Sequence, residues 1–243
     1  MLNAIITWRR VVVSILILVL IACGLVFYAY YRTWNKTDIQ FNLKIDEQIV
    51  YRSTYGESPT FAIWIEDPET GSTQTVYVTR RAAEGDWEGK ADVPVAVPRW
   101  FEIRETKMQS GSDQDIQESE WQPVTSPTPT PGYFSARISV PPGSTWIGWV
   151  EVNLAGDYNE TYQEYDPVAQ TYDEFKTGQP PLLYRAEITA VEGVRLEPEI
   201  IGMSIIDPDE GVTIQPVYGI TTAKDIFEEI YIEVVRPQPR IID

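Results

Sequence analysis

The chain has no histidine among its 243 residues and a single cysteine, Cys23. Without an imidazole, Ser-His-Asp catalysis, histidine-ligated zinc and histidine-ligated haem are excluded. Because Cys23 lies in a long apolar run, thiolate chemistry and an intramolecular disulfide are excluded for the rest of the chain. Glycine-rich phosphate-binding motifs are also absent. These absences predict a protein that is not an enzyme and carries no cofactor.

Positive charge is scarce and unevenly distributed. Residues 1–36 contain four basic and no acidic side chains, whereas residues 37–243 contain 15 basic and 36 acidic ones, a net charge of −21. An acidic surface of this kind repels nucleic acid, so we expect no nucleic-acid partner. The charge is typical of a domain that stays soluble outside the cytoplasm, and the alternative is a docking surface for a basic partner.

One uncharged run, Val11 to Tyr31, is long enough to cross the hydrocarbon of a bilayer as a helix, which needs about 20 apolar residues. Trp8 precedes the run and Trp34 follows it, as expected of aromatic side chains at the two membrane interfaces. The paired Arg9 and Arg10 favour a cytoplasmic N-terminus. The sequence therefore predicts a single-pass protein of the inner or cell membrane, in contact with the lipid bilayer, whose C-terminal domain is periplasmic or extracellular.

Cys23 raises an alternative to an uncleaved helix. The residues Leu20-Ile21-Ala22-Cys23 fit the pattern at which bacterial lipoproteins are processed, which would make Cys23 a lipidated first residue. However, the apolar run continues to Tyr31, whereas a signal peptide usually has an apolar stretch of about 7–15 residues. The uncleaved helix is the preferred interpretation, and lipidation of Cys23 remains open.

The remaining sequence is rich in short segments of alternating polarity that end in Gly or Pro turns, the pattern of a mainly β protein. Asp67-Pro68-Glu69-Thr70-Gly71 is typical of the turn of a β-hairpin. Seven to ten such strands without a long amphipathic helix predict a β-sandwich. The predicted strands are Thr37–Arg52, Thr60–Ile65, Thr73–Thr79, Arg99–Lys107, Phe134–Val140, Thr145–Leu154, Leu182–Val191, Met203–Ile206, Val212–Tyr218 and Ile226–Val235.

These patterns divide the chain into five segments. We predict a cytoplasmic N-terminus at 1–10, a transmembrane helix at 11–31, a juxtamembrane strand or linker at 32–58, a β-sandwich domain at 59–191 and a C-terminal β extension packed on the sandwich at 192–243. The proline-rich stretch within Gln109 to Pro131 favours an extended, stiff loop inside the sandwich domain.

Two groups of polar residues are candidate sites. Four tyrosines lie in an acidic, loop-like segment and are candidates for binding a partner protein, since tyrosine is enriched at interfaces: Tyr158, Tyr162, Tyr165 and Tyr172. The alternative is a loop folded back on its own domain. Asp207, Asp209 and Glu210 offer hard oxygen ligands for Ca²⁺, but Asp-Pro and Glu-Gly pairs are also ordinary turn formers, so the metal candidate is weak and no metal is expected.

A set of aromatic and turn residues between Pro59 and Val191 resembles a family of predicted periplasmic proteins of unknown function. The matching positions are Trp64, Glu66, Asp67, Gly71, Thr75, Val78, Thr79, Trp87, Trp100, Thr128 and Pro131-Gly132. The resemblance implies an immunoglobulin-like sandwich and a genomic neighbourhood rich in flavin-attachment and membrane redox proteins. It supplies no catalytic residues. The chain differs from the family pattern at Ser126-Pro127-Thr128 and in keeping a spanning helix.

The expected function follows from these observations together. We expect a membrane-anchored accessory subunit of a larger membrane complex, possibly an energy-converting or redox one, that contacts other subunits by helix packing and by docking of its β domain. The alternative is a free-standing extracytoplasmic module that binds a ligand or a partner.

Overall fold

The computed structural model describes residues 2–84, 96–110, 125–126, 132–207 and 209–237. Four α-helices are present in these ranges: α1 Leu2–Thr33, α2 Glu47–Arg52, α3 Arg80–Glu84 and α4 Pro98–Ser110. The strands there are β1 Thr37–Ile45, β2 Thr60–Glu66, β3 Thr73–Thr79, β4 Thr125–Ser126, β5 Gly132–Val140, β6 Thr145–Asn153, β7 Tyr165–Asp166, β8 Thr171–Tyr172, β9 Leu182–Thr189, β10 Arg195–Leu196, β11 Glu199–Asp207, β12 Gly211–Gln215 and β13 Phe227–Val235.

The strands form two facing sheets and one small hairpin, so the predicted mainly β, sandwich-like fold is confirmed. The first sheet has the order β10-β13-β1-β5, and the second has the order β12-β11-β9-β6-β2-β3-β4. Strands β7 and β8 pair only with each other among the described residues. Every pairing is antiparallel except that of β3 with the two-residue β4.

The space between the two sheets holds the larger hydrophobic core. Strand β1 contributes Ile39, Phe41, Leu43 and Ile45, all buried, because side chains two apart in a strand point to the same face. The facing sheet contributes aliphatic and aromatic side chains from alternate positions of its central strands. This alternation is the signal that made the strands predictable.

A second core lies on the outer face of the seven-stranded sheet, beneath helices α3 and α4. Strand β2 is buried on both faces, with Ala62 and Trp64 on the outer one. Val97 and Trp100 from the start of α4 pack there. The sandwich therefore has a partial third layer of helix, which the sequence interpretation did not include.

The predicted strand at Arg99–Lys107 is wrong, because this segment lies in α4. Pro98 stands at the first helical position, where its missing N–H costs nothing. Val97, Trp100 and Phe101 follow the i, i+3, i+4 spacing of one helix face, and all three belong to the second core. The alternation of Trp100 and Arg104 misled the prediction.

The predicted strand Thr37–Arg52 is correct only in its first part. Strand β1 ends at Ile45, and the side chain of Asp46 then caps α2 by accepting hydrogen bonds from the amides of Gln48 (2.7 Å) and Ile49 (3.3 Å). Ile49 and Val50 are buried as residues of this short helix and not as strand residues.

Strands from all three predicted segments after the helix are hydrogen-bonded into the same two sheets. The 32–58 segment supplies β1 and the 192–243 segment supplies β13, which pair with each other inside the first sheet. Strands β11 and β12 of the C-terminal segment extend the second sheet beyond β9. The described strands of the two sheets thus come from all three predicted segments, between Thr37 at the start of β1 and Val235 at the end of β13.

Helix α1 contains the one stretch of the described residues long and apolar enough to cross a membrane, Val12–Tyr31, and almost none of it is buried inside the protein. The helix ends at Thr33, and Asn35 adopts the left-handed conformation (φ 56°) that commonly stops a helix. Three residues then lead into β1. Side chains of residues 2–11 lie outside the described set, so the roles predicted for Trp8, Arg9 and Arg10 stay predictions.

The register of the strands defines two ends of the sandwich. The base is the end next to α1, where Thr37 pairs with Val140 and where the β5–β6 turn (141–144) meets the β9–β10 turn (190–194). The far end is the opposite one, where β1 and β6 end and where the segment 154–181 leads from β6 to β9.

Candidate functional site

The far end carries a long connection, the segment 154–181 between β6 and β9, which holds the four candidate tyrosines. Between Asp157 and Lys176 the segment contains six acidic residues and one basic residue. A connection of this length without core strands of its own is commonly functional. Its conformation therefore decides whether the tyrosines form a surface.

A two-stranded hairpin projects from this segment. Tyr165 and Tyr172 are paired across β7 and β8, with ring centroids 4.9 Å apart and planes inclined by 52°. The turn between them is closed by Asp166, whose Oδ1 accepts hydrogen bonds from the amides of Val168 (2.7 Å) and Ala169 (3.1 Å). Tyr165 is 41% exposed, Tyr172 71% and Val168 92%. We call this unit, residues 165–172, the tyrosine hairpin.

A buried polar clamp fastens the segment to the sandwich on both sides of the hairpin. The carboxylate of Asp157 accepts hydrogen bonds from the amide of Gln179 (2.8 Å) and the hydroxyl of Thr222 (2.8 Å). The Gln179 side chain, which is fully buried, donates to the Asp157 carbonyl oxygen (2.6 Å) and accepts from the Thr221 amide (2.5 Å). Buried polar groups satisfied in this way specify one arrangement of the chain.

The close approach inside the clamp depends on Gly178. Its φ is +72°, and a Cβ at this position would lie 2.5 Å from Asp157 Oδ1 and 2.8 Å from the Asp157 backbone nitrogen. Glycine alone fits both the left-handed conformation and the contact. The clamp therefore requires Gly178 as well as the polar residues.

Burial of the clamp changes the acidity of Asp157. Removal from water raises the pKa of this carboxyl to about 7, against the opposing effect of its hydrogen bonds from the Gln179 amide and the Thr222 hydroxyl. The carboxyl consequently changes its charge near neutral pH.

Asn159 and Tyr162 provide a second fastening to the loop 216–222. Asn159 Nδ2 donates to the carbonyl oxygen of Gly219 (2.8 Å) and to Thr221 Oγ1 (3.1 Å). The Tyr162 hydroxyl donates to the Tyr218 carbonyl oxygen (2.9 Å), and its ring packs against the main core. The amide of Asn159 is thus engaged in the fold, although its sequence context is that of a glycosylation acceptor.

The four tyrosines predicted together divide into two pairs. Tyr165 and Tyr172 are exposed and in contact. Tyr158 and Tyr162 are partly buried, and burial raises the pKa of each hydroxyl. The two interpretations of the sequence thus apply to different tyrosines of the same segment. Tyr158 and Tyr162 fold back on the domain, whereas Tyr165 and Tyr172 face outward. Partner binding by any of them stays a prediction.

The acidic residues proposed as a calcium candidate are arranged as a turn. Asp207 Oδ1 accepts hydrogen bonds from the amides of Asp209 (2.8 Å) and Glu210 (3.0 Å). One carboxylate oxygen of Asp207 is therefore engaged in stabilising the turn. Within the described ranges, no three His, Cys, Asp or Glu side chains gather in a way that would hold a metal ion.

A buried carboxylate that the sequence interpretation overlooked is Glu151 on β6, whose side chain is fully buried. It accepts hydrogen bonds from the amides of Arg99 (3.1 Å) and Trp100 (2.9 Å) in the first turn of α4. Burial raises the pKa of this carboxyl to about 7. A carboxylate at a helix N-terminus satisfies free amides and the helix dipole, so Glu151 positions α4. The sequence signal that could have identified this buried carboxylate is the position of Glu151 two residues after Trp149, on the same face of the strand.

The residues that carried the family resemblance converge on the second core. The Trp100 indole donates to Thr75 Oγ1 (3.1 Å), and Trp64 stacks on Trp149 with centroids 5.9 Å apart. Glu66 accepts a hydrogen bond from the Trp149 indole (2.9 Å). These residues thus have structural contacts. Trp87, Thr128, Pro131 and most of the proline-rich stretch lie outside the described residues.

Cys23 is exposed on the surface of α1, within the apolar stretch. Its lipidation therefore stays a prediction. No protein-family model, curated protein or solved structure matches the chain.

Proposed function

We propose that the protein is a non-catalytic, membrane-anchored accessory subunit of a larger membrane complex, for which an energy-converting or redox complex is the candidate. In this proposal α1 lies among lipids and other spanning helices, with its N-terminus in the cytoplasm. The sandwich lies in the periplasm or outside the cell, and its tyrosine hairpin docks a basic surface of another subunit.

The observation that carries the proposal is the exposed tyrosine pair in the middle of a segment that is fastened to the sandwich on both sides of the pair. Exposed aromatic side chains in contact are frequent anchors of protein interfaces, since they offer large contact area with few rotatable bonds. Tyr165 and Tyr172 are held in place by their own pairing, and the clamp at Asp157 and Gln179 holds the segment that carries them. A surface positioned in advance loses little conformational entropy when a partner binds.

The charge around the hairpin indicates the chemistry of the partner. Glu164, Asp166, Asp173 and Glu174 lie in or beside the hairpin, and Lys176 is the basic residue of this stretch. Complementary charge speeds association and fixes orientation more than it adds affinity. The expected partner surface therefore presents Lys or Arg side chains around an apolar hollow that accepts the tyrosine rings.

The exposed apolar surface of α1 supports the membrane part of the proposal. Its stretch Val12–Tyr31 makes almost no contact with the described part of the sandwich, so the stretch is free to face lipid and neighbouring helices. The basic pair Arg9 and Arg10 before the stretch favours the proposed orientation.

The proposal is tested by purifying the full-length protein from its native membrane in mild detergent and identifying stoichiometric companions by mass spectrometry. The wild type is expected to purify with other membrane subunits. The double variant Tyr165→Ala/Tyr172→Ala is expected to lose at least one companion that has a basic exposed surface, and added salt is expected to weaken the same association in the wild type.

Tyr133 and Tyr51 provide a matched control, because both are exposed tyrosines outside the hairpin, Tyr133 on β5 and Tyr51 on α2. The variant Tyr133→Ala/Tyr51→Ala is expected to retain every companion. A wild type that purifies as a lone, monodisperse monomer would refute the subunit proposal and favour the free-standing binding module.

A further inference from the structure

A groove at the base of the sandwich brings two cationic side chains together in an otherwise acidic domain. The groove has a volume of about 370 Å³ and opens between the start of β1, the β5–β6 turn and the end of β13. Its lining includes Lys36 and Arg236, together with Thr37, Pro142, Val191 and Glu192. Two cations beside exposed apolar surface form a site of distinct chemistry in a domain of net charge −21.

The connection from α1 fixes the height of this groove above a membrane. Helix α1 ends at Thr33 and β1 begins at Thr37, so three residues join them. Three residues span at most about 10 Å even when fully extended. The headgroup layer of each leaflet is roughly 5–8 Å thick. If α1 crosses a bilayer, the groove therefore lies level with the lipid headgroups.

Aromatic side chains at the end of α1 also indicate that the groove lies level with the lipid headgroups. Tyr30, Tyr31 and Trp34 are all exposed, and amphipathic rings prefer the boundary between hydrocarbon and headgroups. Lys36 follows two residues after Trp34. The ammonium group of Lys36 is thus expected within reach of the phosphate layer.

Two of the groove's turn amides are already bonded within the protein. The Gly143 amide donates to the Ala190 carbonyl oxygen (2.8 Å), and the Ala190 amide donates to the Ser144 carbonyl oxygen (2.8 Å). The charged groups of the lining that attract an anion are the side chains of Lys36 and Arg236. Val191, which is 51% exposed, offers an apolar contact beside them.

Glu192 is the acidic residue of the groove lining and opposes an anion. Its carboxylate lies 3.3 Å from the Arg236 guanidinium, and both side chains are largely exposed. Exposed pairs of this kind are weak, so a phosphate can replace the carboxylate as the partner of Arg236. Glu192 thus lowers the affinity for an anion without blocking the groove.

We propose that this groove binds the phosphate-bearing headgroup of an anionic membrane lipid. Lys36 and Arg236 contact the phosphate, and Val191 and Pro142 contact the glycerol region. A lipid bound here holds the base against the membrane and directs the far end away from it. The proposal goes beyond the proposed function, and it rests on α1 crossing a membrane but not on the tyrosine hairpin binding a partner.

The test is native mass spectrometry of the full-length protein in mild detergent, titrated with phosphatidylglycerol or phosphatidylcholine of the same chain length. The wild type is expected to retain phosphatidylglycerol preferentially. A basic side chain near an anionic surface contributes about fivefold in affinity, so Lys36→Gln/Arg236→Gln is expected to lower phosphatidylglycerol retention roughly 20-fold, to the level of phosphatidylcholine. Glu192→Gln is expected to raise it several-fold.

The matched control removes the same two charges at the far end, in Lys44→Gln/Lys224→Gln, and is expected to bind as the wild type does. Equal losses in the two double variants would overturn the proposal, as would a wild type without preference for phosphatidylglycerol. Displacement of the lipid by millimolar inorganic phosphate would overturn the assignment to a lipid and identify a site for free phosphate. If the Lys36/Arg236 variant does not fold, unchanged retention in Glu192→Gln contradicts the proposal by itself.

Discussion

The two ends of the sandwich differ in the length of the connections between strands and in the burial of their charged groups. At the base, short turns such as Pro141–Ser144 join neighbouring strands, and the charged pair of Arg236 and Glu192 is exposed. At the far end, the segment 154–181 is long and carries an exposed hairpin, and its charged anchor, Asp157, is buried.

This difference follows from what each end has to hold. At the base, the short turns 141–144 and 190–194 satisfy backbone groups by hydrogen bonds to each other, as from the Gly143 amide to the Ala190 carbonyl oxygen (2.8 Å). A long connection must find partners for its backbone groups, and here Gln179, Asn159 and Asp157 supply them from within the fold. The buried polar groups of the far end thus hold the segment that carries the tyrosine hairpin in one arrangement. Under the proposals above, the base is instead oriented by its contact with the membrane.

The largest effect is expected from breaking the clamp. In Gln179→Ala the Asp157 carbonyl oxygen and the Thr221 amide lose their partner inside a buried site, and a cavity remains. We expect the free energy of unfolding to fall by about 3 kcal/mol. Chemical denaturation in mild detergent measures the loss, and hydrogen exchange is expected to rise first in residues 154–181. Gln163→Ala, an exposed change in the same segment, is the control, and an equal loss there would contradict the clamp.

A second expected effect is a pH dependence located at the far end. Because burial raises the pKa of Asp157 from about 3.8 to about 7, the folded state binds its proton more tightly than the unfolded state. The free energy of unfolding should therefore decrease as pH rises from about 4 to about 7 and then level off. We expect a decrease of roughly 2–3 kcal/mol between pH 5 and pH 8, since one pKa unit corresponds to about 1.4 kcal/mol.

Variants separate the contributions to this pH dependence. Asp157→Asn, an uncharged side chain of the same shape, is expected to remove the part of the slope that comes from Asp157. Glu151→Gln should remove the part that comes from the second buried carboxyl, so only the double variant is expected to lose both contributions. Glu192→Gln at the base is expected to leave the profile unchanged, because its side chain is exposed. A profile that keeps its slope in Asp157→Asn would show that the clamp is not the titrating unit.

A smaller effect is expected from the tyrosine pair. Tyr172→Ala removes the ring contact with Tyr165 and should cost about 1 kcal/mol or less, since both rings are exposed. Tyr172→Phe keeps the ring and should be close to the wild type in stability. Thermal unfolding measures both. A large loss in Tyr172→Ala would indicate that the hairpin supports the fold, which would weaken its assignment as a binding surface.

The smallest effect is expected from the exposed pair at the base. Arg236→Gln should change the free energy of unfolding by less than about 0.5 kcal/mol in detergent without anionic lipid. Arg195→Gln is a sharper comparison, because its guanidinium pairs with Glu229 (3.1 Å) and also lies 3.6 Å above the Tyr231 ring centroid. We expect Arg195→Gln to lose more stability than Arg236→Gln. The reverse order would mean that the exposed pair of Arg236 and Glu192 stabilises the base more than its exposure implies.

The elements that the sequence predicted well are those in which one local pattern decided the outcome. Thr73–Thr79 was predicted at its observed bounds, and Phe134–Val140 and Thr145–Leu154 within two residues of theirs, because alternation and the flanking turn residues agreed. The apolar stretch of α1 was equally clear, since its composition suits a lipid environment whatever the rest of the chain does.

The wrong strand prediction arose where the residue spacing was compatible with both a strand and a helix. Trp100 and Arg104 are spaced as on one face of a strand, whereas Val97, Trp100 and Phe101 are spaced as on one face of a helix. The segment forms a helix that packs on the outer face of β2, which is buried on both faces. The clamp could not be predicted, because nothing local relates Asp157 to Gln179 and Thr222, which lie 22 and 65 residues further along the chain.

The sequence by itself determined the mainly β class, the apolar helix and the uneven charge, since each depends on composition or on periodicity over a few residues. Only the tertiary structure decided which acids are buried, which tyrosines face outward and where the cations at the base come together. The physical reason is that burial and electrostatics depend on neighbours in space, and the sheets bring together residues as distant in the chain as Lys36 and Arg236.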